Sequence, residues 1–194
     1  ELTAAGLSAG AITNVGFEAT TSGQTYQGFV VEMGTTNQTE ANTTFISGLT
    51  QVYRGTLADD GFTPIANAVN TLLFGTGSGS ASAFTWDGTS NIVISITWSR
   101  VPSASTATVS GMKVDNVGFN STAWRQSDNL TPAAMLSETS ASSVGANRPR
   151  FIINNTTICG SPRVAVTATV SVPPVFTLST CAVSICSGSA SNAV

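Results

Sequence analysis

The sequence predicts an all-β protein, an antiparallel two-sheet sandwich of the jelly-roll-like or Ig-like kind. Apolar residues recur at every second position in several segments, which is the pattern of strands with one buried face. Charged residues make up only 9% of the chain, and Ser, Thr, Asn and Gly take their place. Those residues suit the surfaces of strands better than the surfaces of helices. Hydrophobic residues make up 41%, which is enough for a packed core.

The predicted strands follow this alternation along the chain. In residues 27–33, Phe29, Val31 and Met33 share one face, while Glu32 lies on the other. A half-buried antiparallel strand has this pattern because its successive side chains point to opposite faces. The other predicted strands are residues 14–19, 51–55, 72–74, 91–98, 106–114, 151–153 and 163–172.

Turn-forming residues separate these segments, because Gly, Asn and Asp supply positive φ angles and local hydrogen bonds. Residues 75–80 are rich in Gly and Ser and could instead form a flexible linker. Strand patterns on both sides favour a turn within one domain. The predicted turns are residues 20–23, 59–61, 75–80, 87–88 and 137–147.

A domain boundary is predicted at Pro173-Pro174, because neither proline can donate to a strand ladder and the pair stiffens an extended connector. Residues 1–172 then form the sandwich module. Residues 175–194 are too few to bury a core alone. They either begin a following Ig-like module, dock as a tail on the first domain, or are held by a partner. The chain begins at Glu1, and we expect its targeting signal to lie elsewhere.

The three cysteines, Cys159, Cys181 and Cys186, lie in the last part of the chain. An extracellular environment would be expected to oxidise them, and because three is odd, at least one must stay free or pair outside this chain. We expect Cys186 to pair beyond Val194, with Cys159 and Cys181 as the candidates for a disulfide across the junction.

Charge and hydropathy indicate neither nucleic acid nor membrane insertion. The net charge is −3, and among the scattered basic residues only Arg148 and Arg150 lie close together. Phosphate binding needs a clustered basic surface. The sequence has no apolar run of about 18 residues, the length that a membrane-spanning helix requires.

Catalysis is poorly supported by the residue types present. The chain has no His, so a Ser-His-Asp triad is impossible and a zinc enzyme would lack its usual ligands. A pair of carboxylates, as in glycoside hydrolysis, is the remaining option. Glu18 and Glu32 lie on predicted strands and could face each other, although outward, solvated positions are the simpler interpretation. We therefore expect a protein that is not an enzyme.

Calcium is the one cofactor that the sequence makes worth considering. Residues 59–61 and 87–91 supply oxygen ligands in short turns, as β-sandwich surface modules often do. The favoured interpretation is simpler: Asp and Asn cap their own turns through hydrogen bonds from side chain to backbone.

The tryptophans are the candidates for a ligand or surface contact, because sugar binding needs exposed rings with a few polar neighbours. Trp98 belongs to the apolar stripe of its strand and is predicted to be core. Trp86, at a turn, could be a core lid or a platform. Trp124, in a polar stretch, is the best exposed candidate, although structural packing is the simpler role for each ring.

Asn-x-Thr sequons are a further feature of this Asn- and Thr-rich chain, in which chance explains them well. They would matter only in a source that glycosylates such sites. Their asparagines are Asn37, Asn42, Asn120, Asn154 and Asn155.

Two segments carry a specific resemblance. Residues 84–94, with the pattern F-x-W-D-G-x-S-N, and residues 159–167, with the pattern C-x-S-P-R-V, resemble a sandwich module of large Bacteroidota surface proteins. Those proteins are typically type IX secretion cargo and include gliding-motility adhesins and Ig-like repeat proteins. Residues 185–188 are similar to the opening strand of the Ig-like module that follows in them. The chain departs from the family at residues 72–83, where a tryptophan-containing approach to the turn is usual.

The resemblance implies a secreted, non-catalytic module at the cell surface, with structural or adhesive work in a long repeat protein or filament. Its partners would be neighbouring modules, other copies of the chain, or surface glycans. The alternative is a carbohydrate-binding module of a secreted multidomain enzyme. In the turn itself, Trp86 points inward, Asp87 and Gly88 close the turn, and Asn91 bonds backbone where the next strand starts.

Overall fold

The computed structural model describes residues 2–21, 25–99, 111–127 and 130–155. These ranges contain eleven strands and one short helix, and every pair of strands is antiparallel, so the prediction of an all-β protein is confirmed. The elements are β1 (Gly10–Ala19), β2 (Gln27–Thr36), β3 (Thr50–Arg54), β4 (Ala68–Leu73), β5 (Phe84–Trp86), β6 (Asn91–Ser99), β7 (Val114–Asn116), β8 (Thr122–Trp124), α1 (Pro132–Leu136), β9 (Ser143–Gly145), β10 (Asn147–Pro149) and β11 (Phe151–Asn155).

The first sheet has the order β11-β1-β4, and β5 pairs with the beginning of β1. Val15 of β1 lies opposite Leu72 of β4 and Ile153 of β11. Val15 and Leu72 are fully buried, whereas Ile152, the neighbour of Ile153 on β11, is 41% exposed. One face of this sheet therefore covers the core, and the opposite face meets solvent.

The second sheet has the order β3-β2-β6. Val31 of β2 lies opposite Tyr53 of β3 and Ile96 of β6. Val31 is completely buried, and Tyr53 is 7% exposed. β2 and β6 coincide with the strands predicted at residues 27–33 and 91–98, because their period-two pattern extends over a whole strand.

A single core cluster draws residues from both of these sheets. Its largest completely buried members are Ile12, Val15, Val31, Met33, Val52 and Leu72. Phe62, from the loop before β4, lies between the sheets: its ring centroid is 6.1 Å from that of Phe17 and 4.6 Å from that of Phe29. Aromatic pairs at these separations add to the energy of apolar burial.

The loop between β4 and β5 runs along the outer edge of β3. The backbone N–H of Gly75 donates to the Val52 carbonyl at 3.1 Å, and the N–H of Arg54 donates to the Thr76 carbonyl at 3.0 Å. The Gln51 side chain adds a hydrogen bond to the Ser78 carbonyl at 2.8 Å. Residues 75–80 are thus tied to the second sheet, and the flexible-linker alternative is wrong.

The helix α1 packs on the face of the second sheet that points away from the core. Val30 is 2% exposed but does not belong to the core cluster. Gly28, two residues earlier on the same face, touches α1: a Cβ there would lie 2.2 Å from the Cβ of Pro132. The helix begins at an N-cap, Thr131, whose side chain accepts a hydrogen bond from the N–H of Ala134.

Two small sheets complete the described part of the chain, one of β7 and β10 and one of β8 and β9. Residues 137–147 were expected to be a turn-rich loop, and this is wrong in part because they contain all of β9 and the first residue of β10. Within the described ranges, no helix is long and apolar enough to span a bilayer.

Several predictions lie outside the described residues. They include the strand at residues 163–172, the junction at Pro173-Pro174, the segment 175–194, and the cysteines Cys159, Cys181 and Cys186. Of the strand expected at residues 106–114, only residues 111–114 are described, and Val114 is the first residue of β7.

Candidate functional site

The three tryptophans differ sharply in exposure. Trp86 is 3% exposed, Trp98 is 39% exposed and Trp124 is 46% exposed. An indole that contacts a ligand needs an accessible ring face, so these fractions direct attention to Trp98 and Trp124.

Trp86 is part of a hydrogen-bonded turn between β5 and β6. Its Nε1 donates to the Ser90 carbonyl at 2.8 Å. The Asp87 carboxylate accepts hydrogen bonds from the backbone N–H groups of Thr89 and Ser90, both at 2.8 Å, and from the Ser90 hydroxyl at 2.5 Å. These donors, with the Ser90 hydroxyl first, lower the pKa of Asp87 to about 2.

The rest of this turn is fixed by its neighbours. Gly88 has a φ of +84°, and a Cβ there would lie 3.0 Å from the Cβ of Ala9. The Nδ2 of Asn91 donates to the Gln38 carbonyl at 2.9 Å. The structure therefore places Trp86, Asp87, Gly88 and Asn91 in a turn whose polar groups bond one another and the adjoining loop.

The aspartates considered for calcium already have protein partners. Asp60 Oδ2 accepts from Arg54 Nη1 at 2.8 Å, and Asp59 Oδ2 accepts from Gln27 Nε2 at 3.4 Å. Asp59 and Asp60 both have positive φ angles, 56° and 54°, which Asp tolerates better than most residues. The part of the chain that the structure describes contains no group of three or more His, Cys, Asp or Glu residues able to hold a metal.

Trp98 is not a core residue, and that prediction is wrong. It lies near the end of β6, which is an edge strand among the described ones, and 39% of it is exposed. The Trp98 ring meets Tyr26 edge to face, with the centroids 5.4 Å apart. Beside it is an apolar cleft of about 40 Å³, lined by Phe17 and Met112 among others. That volume is small for a sugar ring or a drug-sized ligand.

Trp124 is an exposed residue whose ring contacts a glycine. Trp124 pairs with Ser143, and Thr122 pairs with Gly145, so these four residues share one face of the β8–β9 sheet. A Cβ at position 145 would lie 3.0 Å from Cζ3 of Trp124 and 3.2 Å from its Cη2. The outer edge of the six-membered ring of the indole therefore contacts Gly145, while the residue as a whole stays 46% exposed. We call Thr122, Trp124, Ser143 and Gly145 the Trp124 platform.

The backbone around the platform is held by hydrogen bonds. The N–H of Ser142 donates to the Trp124 carbonyl at 2.8 Å, and the N–H of Ser121 donates to the Gly145 carbonyl at 2.9 Å. The Thr122 hydroxyl donates to the Asn147 carbonyl at 2.8 Å. The backbone that carries the Trp124 platform is thus hydrogen-bonded on both strands.

The two glutamates considered for acid–base chemistry are not brought together. Glu18 belongs to β1 in the first sheet and pairs with Lys113. Glu32 belongs to β2 in the second sheet, opposite Gln51 and Ser95, and its neighbour Val31 points into the core. Burial raises the pKa of Glu32. Each carboxylate lies on the side of its sheet that faces away from the core, so the facing arrangement does not form.

A cavity of about 230 Å³ lies between the N-terminal turn and β11. Its lining carries no titratable side chain among the described residues. Its lining residues are Leu2, Ala5, Gly6, Leu7, Phe151, Ile153 and Asn154.

Sequence reasoning found Trp124 but missed the residue that makes it a platform. Gly145 gives no signal of its own, because only the register between β8 and β9 brings it into contact with the ring. Arg150, one of the two neighbouring arginines, is bonded to both carboxylate oxygens of Asp115, at 3.0 and 2.6 Å. No protein-family model, curated protein or solved structure matches the chain.

Proposed function

We propose that the first and second sheets pack face to face as a β-sandwich, the scaffold of a display module. The shared core supports this arrangement, because its buried residues come from both sheets in similar number. The ring of Phe62, within stacking reach of both Phe17 and Phe29, also supports it. Sandwich sheets are joined by interdigitating side chains of this kind.

On that scaffold we propose a secreted, non-catalytic module of a long bacterial surface protein, working in structure and adhesion. The F-x-W-D-G-x-S-N and C-x-S-P-R-V segments support the surface-protein part of the proposal. The single observation that carries adhesion is the Trp124 platform, with an indole that is 46% exposed and contacts Gly145 through its ring edge.

A supported indole is well suited to adhesive contact. A Trp ring offers a large apolar area on a side chain with only two rotatable angles, so little conformational entropy is lost on binding. The contact with Gly145 would reduce that loss further by restricting the ring before a partner binds. Contact with a partner then gains apolar burial without having to fix a mobile side chain.

A carbohydrate-binding module is the second candidate function, and the same platform favours it. The accessible indole face can stack on the C–H face of a sugar ring, and the hydroxyls of Thr122 and Ser143 share that face of the sheet. Competition by a soluble sugar distinguishes the two candidate functions. The sugar should inhibit attachment if the platform binds glycan, and it should have no effect if the platform adheres to a protein surface.

The test is an adhesion assay with beads that carry the full chain, on surfaces coated with cellulose, chitin, mucin or the chain itself. We expect Trp124→Ala to reduce attachment at least tenfold. Gly145→Val should weaken it as well, because the added side chain displaces the ring. Leu73→Ala is the matched control, since Leu73 is 60% exposed on β4 of the first sheet, outside the Trp124 platform.

Attachment that Trp124→Ala leaves unchanged would refute the adhesive role of the platform. Attachment that soluble oligosaccharide abolishes would favour the carbohydrate-binding module. Hydrolysis of any of these polysaccharides, lost in Glu18→Gln or Glu32→Gln, would refute the proposal that the chain is non-catalytic.

A further inference from the structure

The strand β6 has a partner on one side only among the residues that the structure describes. It pairs with β2, and in the described part of the chain no backbone hydrogen bond joins it to any other segment. A strand edge of this kind presents unpaired N–H and C=O groups to which a further strand can bond. The Trp124 platform uses no residue of β6, so this edge is separate from the proposed adhesive surface.

The backbone groups of β6 that point away from β2 follow from the hydrogen bonds of β2. The Phe29 carbonyl accepts from the N–H of Gly55, directly after β3, at 2.8 Å. Successive residues of an antiparallel strand bond to alternate sides, so Val30 turns its backbone groups toward β6, where it lies opposite Thr97. Thr97 therefore bonds to β2, and every second residue from it does the same. The residues whose groups face the unpaired side are Ile92, Ile94, Ile96 and Trp98.

β6 lacks the features that commonly protect an edge strand, which are charged side chains, proline, bulges and a covering loop. Its sequence contains neither a charged residue nor a proline, and its pairing with β2 is regular from Asn91 to Thr97. It is nine residues long, whereas β4 and β11, at the ends of the first sheet, have six and five. The outer edge of β3 is occupied by residues 75–76. β6 is therefore the longest open edge in the described part of the chain.

The side chains along this edge are incompletely covered. Ile94 and Ile96 pack against the core but are only partly buried, and Trp98 is 39% exposed. An added strand would cover them if it carried apolar residues at every second position, because alternate side chains share a face. β6 itself has this pattern, from Ile92 to Trp98. The strand that fits this edge is therefore a second copy of β6.

We propose that β6 pairs with β6 of a second copy, antiparallel about a two-fold axis, so that two second sheets form one continuous sheet. Such a contact uses the same surface on both molecules. With full overlap, Ser95 meets Ser95 on the axis, and Trp98 lies opposite Ile92 of the second copy. The outward backbone groups of the two strands then meet and form about eight hydrogen bonds. An aromatic ring opposite a β-branched side chain is a favourable cross-strand pair.

Electrostatic repulsion does not oppose this pairing. β6 carries no charge, and the carboxylate beside it on the sheet is that of Glu32, which lies opposite Ser95 on β2. In the dimer the two Glu32 residues are three strand spacings apart, about 14 Å. Interactions between exposed charges beyond about 8 Å are largely screened at physiological ionic strength.

The dimer goes beyond the proposed function and does not depend on it. Two molecules joined at β6 present two Trp124 platforms, so attachment to a repetitive surface becomes bivalent and gains avidity without any new contact. Trp124→Ala, which should abolish attachment, should leave the dimer intact. Failure of the adhesive function and failure of this inference are therefore distinguishable.

The test is sedimentation velocity of the full chain over a range of concentrations, under reducing conditions so that no disulfide joins two copies. We expect a monomer–dimer equilibrium. Ser95→Lys should raise the dissociation constant about tenfold or more, because two like charges meet on the axis. Within each molecule the new ammonium group faces Glu32, which favours folding. Thr71→Lys, at an exposed position of β4, is the charge-matched control and should leave the dissociation constant unchanged.

Charge reversal tests the position of the axis. An equimolar mixture of Ser95→Lys and Ser95→Glu should dimerise more tightly than either variant alone, because opposite charges then meet. If the mixture dimerised no better than Ser95→Lys alone, the proposed register would be wrong.

Hydrogen exchange of the unaltered chain decides the question even if a variant fails to fold. Peptides that cover residues 91–99 should exchange more slowly at concentrations at which the dimer forms. A monomer at every concentration would overturn the proposal, and so would a dimer without added protection in these residues. Added protection in a dimer that Ser95→Lys leaves intact would show that another strand occupies the edge, which would overturn the pairing of β6 with itself.

Discussion

The indole Nε1 of Trp86 donates a hydrogen bond to the carbonyl oxygen of Ser90 at 2.8 Å, so one buried ring joins the last residue of β5 to the residue before β6. The ring is 3% exposed and belongs to the core cluster. The turn and the core are therefore stabilised by the same side chain.

Replacing Trp86 should separate those two contributions. We expect Trp86→Phe to lower the free energy of unfolding by about 1–3 kcal/mol, because the Ser90 carbonyl loses its donor. Trp86→Ala should cost about 3–5 kcal/mol, because a cavity is added. Urea unfolding followed by circular dichroism measures both. Trp124→Phe, at the exposed ring, should change stability by less than about 0.5 kcal/mol.

The Asp87 carboxylate should make stability depend on acid pH. Its pKa is lowered to about 2 in the folded chain, below the ordinary value near 3.8. A depressed folded-state pKa stabilises the fold above the ordinary value, and that contribution is lost as the pH falls through the folded value. We expect Asp87→Asn to flatten the loss of stability between about pH 4 and pH 2. Thermal unfolding across that range measures it.

Ser90→Ala is the graded control for Asp87. It removes the hydroxyl donor, the largest cause of the lowered pKa, and keeps the two backbone donors. Its pH profile should fall between those of the unaltered chain and Asp87→Asn. A profile for Asp87→Asn identical to that of the unaltered chain would contradict the role assigned to the carboxylate.

Glu32 should have the opposite effect. Burial raises its pKa, so its contribution to stability is fully present below the unfolded-state pKa and is lost as the pH rises through the folded value. We expect Glu32→Gln to be more stable than the unaltered chain at pH 7 and to match it at pH 3. Glu40→Gln, at an exposed position, is the charge-matched control. Equal melting temperatures for the unaltered chain and Glu32→Gln at pH 7 would count against this.

Asn70 is a buried polar residue that should be hard to replace. It is 6% exposed; its Oδ1 accepts from the Ile65 N–H at 2.7 Å, and its Nδ2 donates to the Ile65 and Ala68 carbonyls. We expect Asn70→Ala to cost about 1–3 kcal/mol, because the loop before β4 loses three hydrogen bonds. Chemical unfolding of Asn70→Ala beside the exposed Asn37→Ala tests this, and equal stabilities would refute it.

Gly28 should resist substitution for a steric reason. Its φ is +53°, and a Cβ would lie 2.2 Å from the Cβ of Pro132, so Gly28→Ala must displace α1. Gly48 also has a positive φ, +74°, but an added Cβ would meet nothing within 4 Å. We expect Gly28→Ala to lose clearly more stability than Gly48→Ala, by about 1–3 kcal/mol. If both variants lost the same stability, the positive φ angle would account for the loss and the predicted clash with Pro132 would be wrong.

The long strands could be predicted from the sequence because apolar residues occupy every second position, which is the pattern of a strand with one buried face. β7 to β10 could not be predicted, since a three-residue strand has no measurable period and forms only through a partner far along the chain. The helix α1 is too short to show a helical period. The alternation correctly predicted that Ile96 packs against the core. It did not predict the exposure of Trp98, because the exposure of a residue near a strand end depends on which segments pack beside that strand.

The candidate site divides in the same way. The polar surroundings of Trp124 in the sequence predicted its exposure, which the structure confirms. The contact between the ring and Gly145 could not be predicted, because strand register creates it. Phe62 was missed for a related reason: it lies in a loop, and a loop residue gives no alternation from which burial could be inferred.

The loop along β3 has a consequence for how copies of this chain can meet. An uncovered edge strand exposes unpaired N–H and C=O groups, which recruit strands of other molecules and promote aggregation. On β3 those groups are occupied, since Val52 and Arg54 bond to Gly75 and Thr76. A foreign strand would have to displace these bonds before it could pair there. The outer edge of β3 is thus already hydrogen-bonded. If copies of this chain assembled by strand addition, the added strand would have to pair with a different sheet edge.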